Sequence, residues 1–130
     1  MADYIAVKID DMEAIFGGGF RRARGELGVS SFGLQVMDFP AGYDTYPEHD
    51  HSHDGQEEVY VTLSGSAEIE VDGEKMALDP STMVRVGPSA KRKITTSDQP
   101  ARVVAIGGVP GEVFEAAEFT NVGAPDPMAG

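Results

Sequence analysis

Residues 57–73, EEVYVTLSGSAEIEVDG, carry the pattern that decides the fold. The first part, 57–63, is rich in the β-branched and aromatic residues that favour strands. In 66–71 apolar and acidic residues alternate, which predicts a strand with one buried face. Asp72 and Gly73 then form the strongest hairpin signal in the chain, because a type I′ turn needs a positive φ at both central residues.

Further short strands are predicted on both sides of this hairpin. Clusters of Gly, Pro, Ser and Asp, as at 79–81 and 97–100, separate them. About eight short strands with almost no helix predict an all-β antiparallel sandwich or barrel. The predicted strands span residues 4–9, 33–39, 57–63, 66–71, 75–78, 83–86, 93–96 and 101–106.

The rest of the chain gives weaker signals. A length of 130 residues suits one domain with one core, and we assign that domain to residues 1–120, with an N-terminal extension to about residue 30. Within the extension we expect a helical turn over 12–16 and a flexible glycine connector at 17–19. Residues 121–130 show no periodicity and are predicted to be a loose tail.

Composition excludes several classes of function. Ten basic and 22 acidic residues give a formal net charge of -12, which disfavours binding to nucleic acids and anionic membranes. The chain has no cysteine, so disulfides, thiolate nucleophiles and cysteine–metal sites are excluded. It also has no run of the roughly 20 apolar residues that a membrane span needs, and its N-terminus does not resemble a signal peptide. We therefore expect a soluble cytoplasmic protein.

The chain has only three histidines, and they alternate at His49, His51 and His53. In an extended segment alternate side chains share a face, so all three imidazoles are expected to converge. Imidazole is a common ligand of transition metals, and the clustering therefore indicates a metal site. The alternative is an exposed acidic loop without a ligand. By the same alternation, Glu58 shares its face with Tyr60 and is expected to point into the barrel.

The segment with His51, Ser52 and His53, then four residues, Glu58, six residues and Gly65 resembles the first conserved motif of the cupin superfamily. The resemblance extends to about residue 106 and implies a double-stranded β-helix, or jelly-roll barrel, often found as a homodimer. It implies that Glu58 and a pair of histidines bind a divalent metal such as Fe, Ni, Zn or Mn. Spacing to Glu58 favours the pair His51 and His53, whereas spacing from the upstream Gly42 favours His49 and His51.

The sequence departs from this family at its second motif, where Arg92 stands at the position of a further histidine ligand. A guanidinium cannot bind a metal ion and would repel one, by about 4 kcal/mol per unit of metal charge at 4 Å and an effective dielectric near 20. If Ile94 packs inward, Arg92 on the same face points inward too. It could then pair with Glu58 or bind an anionic ligand. The alternative is a solvated basic turn over 91–93.

Three functions remain open at this stage. The first is a metal-dependent enzyme, with His49, His51, His53 and Glu58 as candidate ligands, that oxidises or isomerises a small polar molecule. The second is a metal-free binding or sensory protein, in which Arg92 and Tyr60 contact a small ligand. The third is a purely structural or partner-binding cupin. A homodimer formed through sheet edges or faces is expected in each case.

Overall fold

The computed structural model describes residues 3–128, and in this part of the chain β-strands dominate. All strand pairs are antiparallel, and the longest helix, α1, has only five residues, Ala23–Leu27. This confirms the all-β prediction. Short 3₁₀ turns lie at Ile9–Asp11 and Glu118–Thr120. The strands are β1 Ala14–Ile15, β2 Phe20–Arg21, β3 Gly33–Phe39, β4 Glu57–Gly65, β5 Ala67–Val71, β6 Glu74–Leu78, β7 Met83–Val86, β8 Arg92–Thr95 and β9 Ala101–Gly108.

The strands form two sheets that enclose the main core. One sheet has the order β1-β2-β3-β9-β4-β7 and the other β6-β5-β8. Inward side chains from both sheets pack together, because alternate residues along each strand are apolar and face the opposite sheet. The best-buried members of this core are Tyr60, Ile69, Leu78, Val86, Ile94 and Val103.

The hairpin between β5 and β6 has the predicted turn. Asp72 and Gly73 have φ angles of 48° and 87°, and Val71 pairs with Glu74 across the turn. Positive φ at both central positions is what a type I′ turn requires. The strand predictions for 33–39 and 83–86 are confirmed to the residue, and those for 57–63, 66–71, 75–78, 93–96 and 101–106 are confirmed to within two residues at each end.

The N-terminal segment differs from the sequence-based expectation. The strand predicted over 4–9 is wrong, since the chain there joins no sheet and turns at Ile9–Asp11. Val7 and Ile9 instead pack on the outer side of the large sheet, in a small cluster with buried Val36. The helical turn predicted over 12–16 is also wrong. β1 and β2 form a hairpin there, and the glycines of 17–19 lie in its turn rather than in a flexible connector.

The C-terminal segment returns to this N-terminal hairpin. The sequence predicts a loose tail over 121–130, but the described part of it, to residue 128, has specific partners. The backbone N–H of Gly123 donates a hydrogen bond to Glu13 (2.9 Å), and Asp126 accepts one from the backbone N–H of Phe16 (2.9 Å). Isolated contacts between distant residues leave no periodic pattern in a sequence. No helix within residues 3–128 is long and apolar enough to cross a membrane.

Candidate metal site

The histidines lie on an extended segment that borders β8. The backbone of His49 exchanges hydrogen bonds with that of Arg92 (3.1 and 2.9 Å), and the N–H of His51 donates to the carbonyl of Pro88 (2.8 Å). This pairing keeps His49 and His51 extended, so that both point to one side. The chain then turns, because the N–H groups of Asp54 and Gly55 bond back to the carbonyl of His51.

The structure brings two of the three histidines to Glu58. One ligand atom from each of His49, His51 and Glu58 lies within 4.8 Å of the others, and we call these residues the triad. His53 lies in the turn, where alternation no longer holds, and its side chain is 73% exposed beside Asp54. A second group of His51, His53 and Asp54 also lies within 4.8 Å, but two of its members are exposed. The three rings do lie side by side, with centroid separations of 5.2 Å between His49 and His51 and 5.8 Å between His51 and His53, but His53 does not join the group around Glu58.

Both triad histidines are oriented by bonds to their Nδ1 atoms. Nδ1 of His49 lies 2.9 Å from the carbonyl oxygen of Pro47, and Nδ1 of His51 lies 3.1 Å from Oδ1 of Asp54. Both partners accept hydrogen bonds, so the proton of each neutral ring belongs on Nδ1 and the lone pair on Nε2. The Nε2 atom of His51 lies 3.3 Å from Oε1 of Glu58. Such outer contacts are typical of metal-binding histidines.

Asp54 is itself held in place, by Gln56. The Gln56 side chain donates to Oδ2 of Asp54 (2.8 Å) and its backbone N–H donates to Oδ1 (3.1 Å). Gly107 pairs with Glu58 across the sheet, and a Cβ atom there would lie 2.6 Å from Oε1 of Gln56. The absence of a side chain at Gly107 thus leaves room for this contact. Asp54 and Gln56 are not distinguished by the sequence pattern, although the spacing from His51 to Asp54 offers a signal.

Two tyrosines complete the surroundings of the triad. The hydroxyl of Tyr60, which is buried, donates to Oε1 of Glu58 (2.7 Å). The ring of Tyr46 lies 5.6 Å from that of His49, measured between centroids. Burial raises the pKa of both phenols, so both stay protonated in the neutral range. Tyr46 was not predicted, because nothing near it in the sequence distinguishes it from an ordinary core residue.

The triad carboxylate is ionised despite its burial. Desolvation alone would raise the pKa of Glu58, but a protonated His51, the hydroxyl of Tyr60 and the nearby guanidinium of Arg92 outweigh it and lower that pKa. The Glu58 carboxylate in turn favours protonation of His51 at Nε2 in the metal-free protein and raises the pKa of His51, against the opposing effect of burial.

Arg92 points inward, as its shared face with Ile94 predicts, and both side chains have 0% exposure. Its Nη2 donates to the carbonyl of Gly87 (3.0 Å), and its Nη1 lies 3.8 Å from Oε1 of Glu58. Nε and Nη1 have no hydrogen-bond partner among the described residues. The alternative of a solvated basic residue is therefore wrong for Arg92. The side chain lies behind Glu58 and not on the cavity wall, which differs from the expected direct contact with a ligand.

The triad lies on the wall of a cavity of about 1740 Å³, and Tyr60 lies on the same wall. Two imidazole Nε2 atoms and one carboxylate are the donors of open metal sites with three protein ligands. The oriented Nδ1 atoms fit that role, since they leave the Nε2 lone pairs for a cation. The donor set therefore suits a divalent transition metal.

Comparison with known proteins agrees with this architecture. Residues 35–107 match the model of the Cupin_2 family, described as a cupin domain. A cupin protein from Bacteroides fragilis is 24% identical and superposes with a TM-score of 0.69 over 90% of this chain and 93% of its own. A sugar phosphate isomerase of the cupin superfamily from Silicibacter pomeroyi is 16% identical, with a TM-score of 0.63 over 80% of this chain and 75% of its own.

At these identities the solved structures show the fold alone. A search of curated proteins found no match to the chain. The family match covers more than half of the chain, and the two facing antiparallel sheets are those of the jelly-roll barrel that the sequence resemblance implies. The chain therefore belongs to the Cupin_2 family.

Proposed function

We propose that the protein is a metal-dependent cupin enzyme that acts on a small molecule in the barrel cavity. The observation that supports this most directly is the triad, whose histidines present Nε2 atoms while their Nδ1 atoms are held by Pro47 and Asp54. Hydrogen bonds that orient the Nδ1 atoms in this way are typical of metal-binding histidines, and a cluster of surface side chains without a ligand does not require them. The reaction class is oxidation or isomerisation, as expected for this family, with Fe, Ni, Zn or Mn as the candidate ions.

Each residue around the ion has a defined part in this proposal. His49, His51 and Glu58 would hold the metal, which supplies Lewis-acid or oxygen-activating chemistry when it is bound. Tyr60 fixes the Glu58 carboxylate through its hydroxyl. Arg92 acts as a positioning residue, because its buried charge stabilises the ionised form of Glu58 from the side away from the cavity.

Elemental analysis of tag-free protein, loaded with each candidate ion and then desalted, tests the proposal. We expect near-stoichiometric metal in the wild type. Alanine at His49, His51 or Glu58 should weaken binding at least about a hundredfold, since even outer contacts of metal ligands contribute about 10–100-fold. His53→Ala is the matched control and should retain the metal, because that side chain lies outside the triad. Loss of metal in His53→Ala alone would instead favour the pair His51 and His53.

One observation favours a second candidate, a metal-free binding or sensory cupin. Arg92 stands at the sequence position of the fourth ligand that the cupin resemblance implies, and its positive charge lies 3.8 Å from the triad carboxylate. Such a charge repels a divalent cation. If the wild type takes up no metal above background with any of the four ions, the enzyme proposal fails and this candidate takes its place.

We further propose that the protein forms a homodimer through the outer face of its large sheet. An apolar patch on β4, β7 and β9 includes Leu63, Met83 and Ile106, all of them exposed. Glu57 and Arg85 lie at its border, 3.7 Å apart. A two-fold contact must be complementary to itself, and an apolar patch bordered by one charge of each sign satisfies that condition.

Sedimentation velocity tests the dimer. We expect a wild-type dimer whose dissociation constant rises at least about tenfold in Met83→Glu, because the change places a charge in a desolvated contact. Val113→Glu is the matched control, since Val113 is an exposed apolar residue outside the patch. A monomeric wild type, or equal weakening in both variants, would contradict the proposed interface.

A further inference from the structure

We infer that the cavity binds a molecule with an uncharged, aromatic or otherwise apolar body and a single oxygen-donor end that faces the triad. The position of the donor end rests on the proposed metal-dependent function. The nature of the body rests on the cavity wall alone. The expected substrates are therefore small molecules that carry no phosphate or other anionic group away from the triad.

Aromatic side chains line part of the cavity. The rings of Phe16, Phe20 and Phe119 contact one another, with centroid separations of 5.6, 5.9 and 5.7 Å, and all three line the cavity. Phe114 also lines it and packs over Gly33, where a Cβ atom would lie 3.2 Å from the ring. Aromatic walls recognise flat apolar groups through area and ring-to-ring contact.

These aromatic rings come from segments outside the family match. Residues 35–107 carry the family match, whereas Phe16 and Phe20 lie on the β1–β2 hairpin and Phe114 and Phe119 on the C-terminal segment. Bonds such as that from the backbone N–H of Phe16 to Asp126 hold the two segments together. The additions to the barrel thus build an apolar wall, while the barrel itself supplies the triad. That division is typical of a site in which added segments set specificity.

The cavity wall carries more carboxylates than arginines and lysines. Its described residues include three carboxylates, on Asp38, Asp54 and Glu58, but Arg102 is the only arginine and there is no lysine. Arg102 is already engaged, since its Nε donates to Asp38 (2.7 Å) and its Nη2 to Asp10 (2.6 Å). Arg92 is buried away from the wall. An anionic group away from the triad would therefore lose its hydration without gaining a free arginine or lysine.

Binding of three probes, measured by calorimetry on zinc-loaded and metal-free protein, tests the inference. The probes are para-phenylphenol, the same molecule with a sulfonate on its distal ring, and glucose phosphate. We expect para-phenylphenol to bind at least about tenfold more tightly than its sulfonate, because the remote charge is desolvated against the carboxylates. Glucose phosphate should not compete. Tighter binding of the sulfonate or of glucose phosphate would overturn the inference.

A matched pair of variants locates the binding site. Phe114→Ala should weaken binding of para-phenylphenol by about tenfold, the loss expected when one aromatic contact is removed. Phe32→Ala should leave binding unchanged, since Phe32 is a partly exposed ring outside the cavity. Equal affinity of Phe114→Ala and the wild type would overturn the assignment. If the protein binds no metal but keeps the same ranking of probes, the proposed function fails while the inferred body of the ligand stands.

Discussion

Replacing Glu58 with glutamine is expected to destabilise the metal-free protein by about 3–5 kcal/mol, the cost of leaving a buried charge without its partner. Arg92 is fully buried, and the carboxylate of Glu58 is the acidic group within reach of its guanidinium, at 3.8 Å. The guanidinium keeps its bond to the carbonyl of Gly87, but Nε and Nη1 have no other partner among the described residues. Glutamine preserves the shape of the side chain and removes only the compensating charge.

A double-mutant cycle isolates this interaction. Arg92→Met removes the buried cation, so adding it to Glu58→Gln should recover most of the lost stability, measured by urea unfolding with a chelator present. Glu57→Gln is the matched control on the neighbouring, more exposed carboxylate and should change stability by less than about 0.5 kcal/mol. If the effects of the Glu58 and Arg92 substitutions simply add, the two charges do not interact and the role assigned to Arg92 fails.

Gly65→Ala is expected to destabilise the protein by about 3 kcal/mol or more, or to prevent folding. Gly65 ends β4 with a φ of 73°, and a Cβ atom there would lie 1.9 Å from the carbonyl oxygen of Pro100. The obstacle is backbone from the neighbouring segment, which cannot rotate away. This glycine is also the last residue of the motif that carries the family resemblance. The steric conflict explains why the motif has a glycine at this position.

Gly73→Ala provides the control for this prediction. Gly73 has a φ of 87° but no heavy atom within 4 Å of its would-be Cβ atom. The substitution therefore tests the cost of a positive φ alone, about 1–2 kcal/mol. Thermal and urea unfolding of both variants separate the two effects. Equal losses of stability in the two variants would contradict the steric explanation for Gly65.

Strand periodicity predicted most of the barrel and the direction of its key side chains. Alternation correctly placed Tyr60 and Arg92 inside, because the rule follows from the pleat and needs only an unbroken strand. The same rule failed for His53, where the bonds from Asp54 and Gly55 to His51 turn the chain. Sequence spacing alone supported either histidine pair, and the backbone pairing of His49 with Arg92 is the feature that selects one grouping.

The parts that escaped prediction depend on contacts between distant residues. The short hairpin of β1 and β2 is stabilised by its neighbour β3, and two-residue strands carry no periodic signal of their own. The positions of Tyr46 and of the aromatic side chains at the cavity likewise depend on how distant parts of the chain pack together. A single sequence indicates local preferences for helix or strand, whereas these features become apparent only from the three-dimensional arrangement.

The position of β9 affects how the chain can fold during synthesis. β9 is the last strand of the described residues 3–128, yet it lies between β3 and β4 in the large sheet and pairs along the length of both. A ribosome-bound chain that ends before residue 101 has both partner strands but not the strand that joins them. Their exposed edges would then be open to pairing with other chains. Closure of the large sheet therefore has to follow the emergence of β9.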